Sequence, residues 1–482
     1  MGILSELEPK KVFQFFEEIC SIPHGSHNTD QISRYLVDFA KKRELKYRQD
    51  AMGNVVIWKN GSAGYENCAP VILQGHIDMV AVKDADCEKN MEKEGLDLMI
   101  EDDLILAKGT SLGGDNGIAV AYSLAILDDS SLIHPPVEAV FTVDEEIGML
   151  GADYLDMSDL KGRLFLNMDS EDEGVFTVSC AGGAKVTCHF PYQTEKKDVA
   201  RLVIKADQFT GGHSGVEIDK GRANANVVMG RILLAVNQRQ EMRLVKMNGG
   251  EKDNAIADCC EAVIAVKPEE VEQAEKTICD IFVNIREEYK TTDPAARLRI
   301  CKEPSEETEI FTKEATSVII NAIINLPNGI QRMNPEMEGM VQTSLNLGAA
   351  ETKQGQVELS YAVRSSSENE KQYLIDRITC FTELSGGRTE VTGVYPGWEY
   401  KAESRLRDVM ISAYKELYKE EPKVEGIHAG LECGLFASRL EGLDAVSIGP
   451  QMKNVHTTKE VLSISSAKRT WELILKALEM LK

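Results

Sequence analysis

Val71-Ile72-Leu73-Gln74-Gly75-His76-Ile77-Asp78 reads as a short apolar strand that ends in a histidine and an aspartate. Side chains alternate along a strand, so His76 and Asp78 share a face. The carboxylate can then steady the imidazole while the other ring nitrogen binds a metal. The plainer alternative is a satisfied core histidine. Two further apolar runs follow, Val137–Val143 and Leu164–Met168, with an apolar helix from Gly117 to Leu127 between the first two runs. Such runs mark strands buried on both faces, and strand, helix, strand order predicts an α/β domain with a mostly parallel mixed sheet flanked by helices. Upstream, Ile32, Tyr35, Leu36, Phe39 and Ala40 recur at helical spacing, which predicts a helix over 29–42 capped by Asn28 or Thr29.

Downstream of Gly183 the texture changes. Alternating segments at Lys185–Phe190 and Arg201–Ala206 precede amphipathic helices at Gly221–Asn237 and Glu269–Tyr289, and a similar mixture recurs from Lys313 to Phe381. This predicts a large inserted α+β domain, with no internal repeat strong enough to establish duplication. A helix at Arg405–Tyr418, a strand at Ala445–Ile448 and a final helix carrying Trp471, Ile474, Leu475, Leu478 and Leu481 on one face return to the first texture. The expected division is a first domain of residues 1–187 and 398–482, with a lid domain of residues 188–397 inserted in it.

The 482 residues carry 54 Lys plus Arg against 78 Asp plus Glu, a formal net charge of −24. Phosphate backbones and anionic membranes select clustered basic residues, so neither nucleic acid nor membrane is an expected partner. Met1–Glu6 lacks the basic-then-apolar order of a secretory leader, and the longest apolar stretch is far short of the roughly 20 residues that span a bilayer. A soluble, cytoplasmic protein is expected. Eleven cysteines with no Cys-x-x-Cys pair predict reduced, mostly buried thiols.

Chemistry gathers at the ends of the apolar runs. Gly113-Gly114-Asp115-Asn116-Gly117 delivers Asp115 at a helix start, though a simple capping turn reads the same way. Asp144-Glu145-Glu146 follows the second run, and Asn167-Met168-Asp169 ends the third. Adjacent Glu145 and Glu146 can divide two roles, one binding a metal and the other moving a proton. A second histidine, His456, sits in the polar stretch Asn454–Thr458. Open α/β sheets place their sites at the carboxyl ends of strands, and three runs ending in imidazole or carboxylate point to one shared site. Imidazole and carboxylate without thiolate suit zinc, manganese or cobalt in a hydrolytic centre.

His76-Ile77-Asp78, Gly114-Asp115-Asn116-Gly117, Asp144-Glu145-Glu146-Ile147-Gly148, Asn167-Met168-Asp169 and the late His456 together resemble, in order and spacing, the co-catalytic metallopeptidases related to acetylornithine deacetylase and carnosinase. Within these the chain is most similar to the bacterial aminoacylhistidine (Xaa-His) dipeptidases, over essentially its whole length. The resemblance implies two divalent metal ions bridged by Asp115. His76 and Asp169 would complete one site and Glu146 and His456 the other. It implies Glu145 as general base toward a metal-bridged water, Asp78 as the support of His76, and a cis peptide at Asp115-Asn116. In the insertion, Gly211-Gly212-His213-Ser214-Gly215 matches the segment whose histidine stabilises the oxyanion. Asn254, Arg364, His428 and Glu432 match substrate-binding positions, with Arg364 suited to clamping a carboxylate and Glu432 to meeting the free amine.

The function implied is hydrolysis of dipeptides with a free C-terminus, Xaa-His dipeptides such as carnosine included. The alternatives are an amidohydrolase acting on N-acyl amino acids, which the long insertion disfavours, and a non-catalytic metal-binding scaffold, which has no need of Glu145. A homodimer is open, as is whether His213 serves its own chain or a partner's.

Overall fold

The computed structural model describes residues 2–482, which divide into two compact units. The first comprises residues 2–180, 400–426 and 431–482, and the second residues 181–399 and 427–430.

The first unit is built on an eight-stranded sheet. Its middle is parallel: the Val71–His76 strand lies between Val137–Thr142 and Leu164–Asn167, and Asp444–Ser447 continues the parallel order beyond the latter. Antiparallel strands Lys46–Gln49 and Val55–Lys59 close one side, and Val175–Cys180 pairs antiparallel on the other. All residues of the three apolar runs are buried, as expected for strands covered on both faces. A small four-stranded sheet of Leu98–Glu101, Leu104–Ala107, Met452–Lys453 and Val461–Ser463 accompanies it. The helix over Gly114–Asp128 has non-helical dihedrals at Asp115 and Asn116, so regular geometry starts at Gly117. The 29–42 helix runs Asp30–Lys42, with Thr29 at its start making no side-chain capping bond.

The second unit is a nine-stranded antiparallel sheet whose inner face packs on Ala225–Arg239, Val271–Glu288, Lys313–Asn325 and Glu368–Leu384. The helix expected from Gly221 starts four residues later, at Ala225. The Asn224 side chain accepts from the N–H groups of Asn226 and Val227, and Gly221 has a φ of 64°, so the chain before the cap is not helical. The expectation of mostly buried thiols needs correction. The eleven cysteines form no disulfide, but Cys279, Cys301 and Cys380 are exposed and Cys68, Cys87 and Cys259 half-buried. Among the described residues, no helix is long and apolar enough to cross a membrane.

Candidate functional site

The parallel strands deliver their functional side chains at the same end because each leaves the sheet at its carboxyl terminus. His76 is the last residue of its strand; Asp144–Glu146 and Asp169 lie just beyond theirs. His76 Nε2 lies 3.1 Å from Asp115 Oδ1 and 3.3 Å from Asp169 Oδ1. His456 Nε2 lies 3.1 Å from the other Asp115 oxygen and 2.9 Å from Glu146 Oε2. Asp115 is thus shared between two imidazole-carboxylate sets, and the ligand atoms of His76, Asp115 and Glu146 fall within 4.8 Å of one another.

Local backbone chemistry explains how Asp115 arrives there. The Asp115–Asn116 peptide is cis. The Asn116 side chain accepts from the N–H of His76 at 3.2 Å and donates to the carbonyl of Met168 at 2.8 Å, tying two strand ends to the loop. Gly75 permits this approach: a Cβ there would collide with Asn116 Oδ1 and lie 2.7 Å from the Ala119 Cβ.

His76 Nδ1 donates to the backbone carbonyl of Asp78 at 3.0 Å, with the Asp78 carboxylate farther off at 3.5 Å. That carboxylate accepts from the Ser26 hydroxyl at 2.9 Å and the N–H of Glu145 at 3.0 Å. Asp78 therefore steadies His76 mainly through its backbone, and its side chain fixes the turn that carries Glu145 and Glu146. With Nδ1 committed as donor, Nε2 is the nitrogen free to bind a cation.

The electrostatics fit divalent cations. Burial alone would lower the pKa of His76, yet Asp169, Asp115 and Asp78 outweigh it and raise it well above the usual imidazole value. Hydrogen bonds to Asp115 and Glu146 push His456 up to about 11. Burial, with Asp115 and Glu432 adding, pushes Asp169 up to about 8 against the pull of His76. Burial also raises Glu145 well above the carboxylate range. Glu146 Oε1 is buried without a hydrogen-bond partner among the described residues. Carboxylates crowded around two imidazoles, with one orphaned oxygen, form a donor set that a pair of cations would satisfy.

Glu432 lies in the same unit with no exposed surface. One oxygen accepts from the Gln74 amide and the Thr142 hydroxyl, and the other has no hydrogen-bond partner among the described residues. Burial pushes its carboxyl up to about 7. The amine contact expected of Glu432 meets no open surface here; its partners are side chains of the central strands.

The second unit carries the other expected residues. Gly211 and Gly212 have φ values of 64° and 124°, and the following loop bridges to the 254–256 segment, Ser214 N donating to the Asn254 carbonyl at 2.9 Å. His213 Nδ1 accepts from the N–H groups of Gly215 and Val216, each at 3.2 Å. The neutral ring therefore holds its proton on Nε2. Burial first, and Arg364 second, lower its pKa. The same two causes push His428 down to about 3; its Nε2 lies 2.7 Å from the Ser344 hydroxyl. Arg364 is buried, donates to the Tyr395 hydroxyl at 3.0 Å and has an unpartnered Nε among the described residues. Asn254 is exposed.

The side-chain roles of Gln74, Asn116 and Glu460 emerge only in the folded chain. Gln74 was signalled by its polarity inside an apolar strand. Glu460 is buried and accepts four backbone N–H groups from Leu112, Gly113, Gly114 and Asp115.

The chain is 34% identical over 483 aligned residues to the cytosol non-specific dipeptidase of Escherichia coli (strain K12), with 99% of each covered. The crystal structure of the aminoacylhistidine dipeptidase from Vibrio alginolyticus superposes with a TM-score of 0.92 at 34% identity, covering 99% of this chain and 98% of that one. An aminopeptidase from Bacillus cereus shares the fold at a TM-score of 0.56 and 14% identity, over 98% of this chain and 99% of that one. Residues 72–480 match the profile of peptidase family M20/M25/M40, and the chain belongs to that family.

Proposed function

We propose that the protein is a metal-dependent dipeptidase acting on short peptides with a free C-terminus, Xaa-His dipeptides among them. The carrying observation is the convergence of His76, Asp115, Glu146, Asp169 and His456, with Asp115 within 3.1 Å of both imidazoles, beside the buried Glu145. The dipeptidase names of the two relatives at 34% identity support it.

His76 and Asp169 would hold one divalent ion, Glu146 and His456 the other, and Asp115 both. Bound there, zinc, manganese or cobalt would supply the Lewis acidity that makes a water nucleophilic at neutral pH and polarises the scissile carbonyl. Glu145 accepts the proton of the attacking water and returns it to the leaving amine. Asp78 holds the Glu145 turn in place through the Glu145 N–H. His213 offers its Nε2 proton to the developing oxyanion, a role suited to a neutral ring whose Nδ1 is already an acceptor. Arg364, with Asn254 and His428, receives the substrate carboxylate.

The test is a panel of dipeptides, L-carnosine among them, with N-acetyl amino acids and dipeptide amides, assayed with zinc-, manganese- and cobalt-loaded protein. Turnover of free dipeptides in preference to the others is expected. Absence of turnover on every dipeptide would overturn the reading, and turnover confined to N-acetyl amino acids would replace it with the deacylase.

A further inference from the structure

Glu460 lies four residues beyond His456 and is only 3% exposed. Its Oε2 accepts from the N–H groups of Leu112 at 2.8 Å and Gly113 at 3.1 Å, and its Oε1 from those of Gly114 at 2.8 Å and Asp115 at 3.3 Å. All four contacts are with N–H donors, and a carboxylate has the acceptor capacity to satisfy them all. Successive backbone N–H groups turned onto one anion form a nest. Gly113, at a φ of 68°, makes the turn, and a Cβ on Gly114 would lie 3.3 Å from Glu460 Oε1, so the loop is shaped to the carboxylate.

The last donor belongs to Asp115, the residue shared by both imidazoles. On its own side, Glu460 N donates to the Thr457 carbonyl at 3.2 Å, and the Thr457 hydroxyl donates to the Asn454 carbonyl at 2.7 Å. These bonds close the turn on which His456 sits with a φ of 62°. One buried anion thus joins the loop that presents Asp115 to the turn that presents His456.

We propose that Glu460 is a positioning residue of the metal centre, an internal anion that locks the Asp115 loop to the His456 turn so that the ligands stand in place before any ion arrives. It touches no reacting group, and the proposal rests on the assignment of Asp115 and His456 as ligands. Glu138 provides the contrast. It too is 3% exposed and accepts backbone N–H groups, from Lys161 at 3.0 Å and Gly162 at 2.9 Å. It sits one residue from the amino end of its strand, at the opposite end from the ligands. Equal burial and similar bonding make it the matched control.

The experiment compares Glu460→Gln and Glu138→Gln in the full chain. Zinc affinity and stoichiometry of the metal-free proteins are measured by competition with a chromophoric chelator, beside circular dichroism and thermal melting. A glutamine at 460 turns an NH2 group onto two of the four N–H donors. The expected result is a folded variant with zinc affinity about 10- to 100-fold weaker, while Glu138→Gln melts lower and binds zinc like the wild type. Glu460→Asp is expected to fall between wild type and Glu460→Gln. Wild-type zinc affinity in a folded Glu460→Gln variant overturns the proposal, as does an equal loss in Glu138→Gln, which would make the effect one of general destabilisation. If the Gln variant does not fold, amide hydrogen exchange on metal-free wild type decides. Slow exchange at Leu112–Asp115 supports a preset loop, and exchange that slows only on adding zinc overturns it. A wild-type protein that binds no zinc would instead refute the ligand assignment itself.

Discussion

Two pairs of histidines, one pair in each unit, are held in opposite states. In the first unit, the histidines proposed as ligands are driven toward the protonated form: His76 is raised against the effect of its burial by Asp169, Asp115 and Asp78, and His456 reaches about 11 through Asp115 and Glu146. In the second, burial and Arg364 drive His213 and His428 toward the neutral form, His428 to about 3. Carboxylates that gather protons also gather metal cations, whereas burial excludes charge of either sign and only the contribution of Arg364 favours anions. Metal-dependent hydrolysis of a dipeptide uses both, a cationic electrophile at the scissile carbonyl and donors for the oxyanion and the terminal carboxylate. The net charge of −24 conceals this division, because it sums over both units.

The contrast breaks most visibly if cations are dispensable. Stripping the protein with a chelator, with metal content checked by mass spectrometry, is expected to abolish dipeptide hydrolysis, and adding zinc, manganese or cobalt to restore it. Full turnover in verified metal-free protein would end the cationic reading. The next largest effect is expected of Glu145→Gln, with kcat reduced about 10²- to 10⁴-fold, the range for losing a general base. Its metal content should be unchanged, because the ligand atoms belong to its neighbours. A variant that kept wild-type kcat would remove Glu145 from the mechanism.

The first unit was the more legible of the two in sequence, for a physical reason. Strands buried on both faces are largely apolar, so Val71–His76, Val137–Thr142 and Leu164–Asn167 appear as runs, and the polar residues at and just after their carboxyl ends mark the site end of the sheet. His456 was legible as an imidazole in a polar stretch. Glu460 was not, because it acts on backbone N–H groups up to 348 residues away in sequence, and a backbone donor leaves no side-chain signature. Gln74 and Asn167 did leave one, as amides inside apolar strands, but their link to each other and to Glu432 exists only after folding. In the second unit the start of the 225–239 helix was misplaced because Asn224, the capping residue, reads in sequence as one more polar position. The neutral state of His213 was likewise invisible, since it depends on burial and on Arg364, far along the chain.

The second unit's side of the contrast is sharpened by Arg364→Ala. Losing charge-assisted hydrogen bonds of about 1.5–3 kcal/mol predicts a KM increase of roughly 10- to 150-fold for dipeptides with a free carboxylate. Dipeptide amides, which offer no carboxylate, should show little further loss. An equal effect on acid and amide would mean that Arg364 supports the fold and does not read the terminus.

The smallest expected effect is on stability, and its sign follows from His428. The folded value of about 3 lies below the roughly 6.5 of an unfolded histidine. Between those values the unfolded chain binds a proton that the folded chain excludes, so this histidine costs no stability above about pH 6.5 and progressively more as the pH falls below it. Between pH 6.5 and 5 the cost is about 2 kcal/mol, at 1.36 kcal/mol per unit. Urea unfolding of wild type and His428→Gln, each at pH 7 and pH 5, isolates this effect. Glutamine cannot titrate, so the variant should lose about 2 kcal/mol less on acidification, whatever its stability at pH 7. Comparing slopes separates titration from the lost contact with Ser344, which weighs equally at both pH values. Equal slopes would mean that the pocket admits the proton, and His428 would then no longer stand opposite His76 and His456.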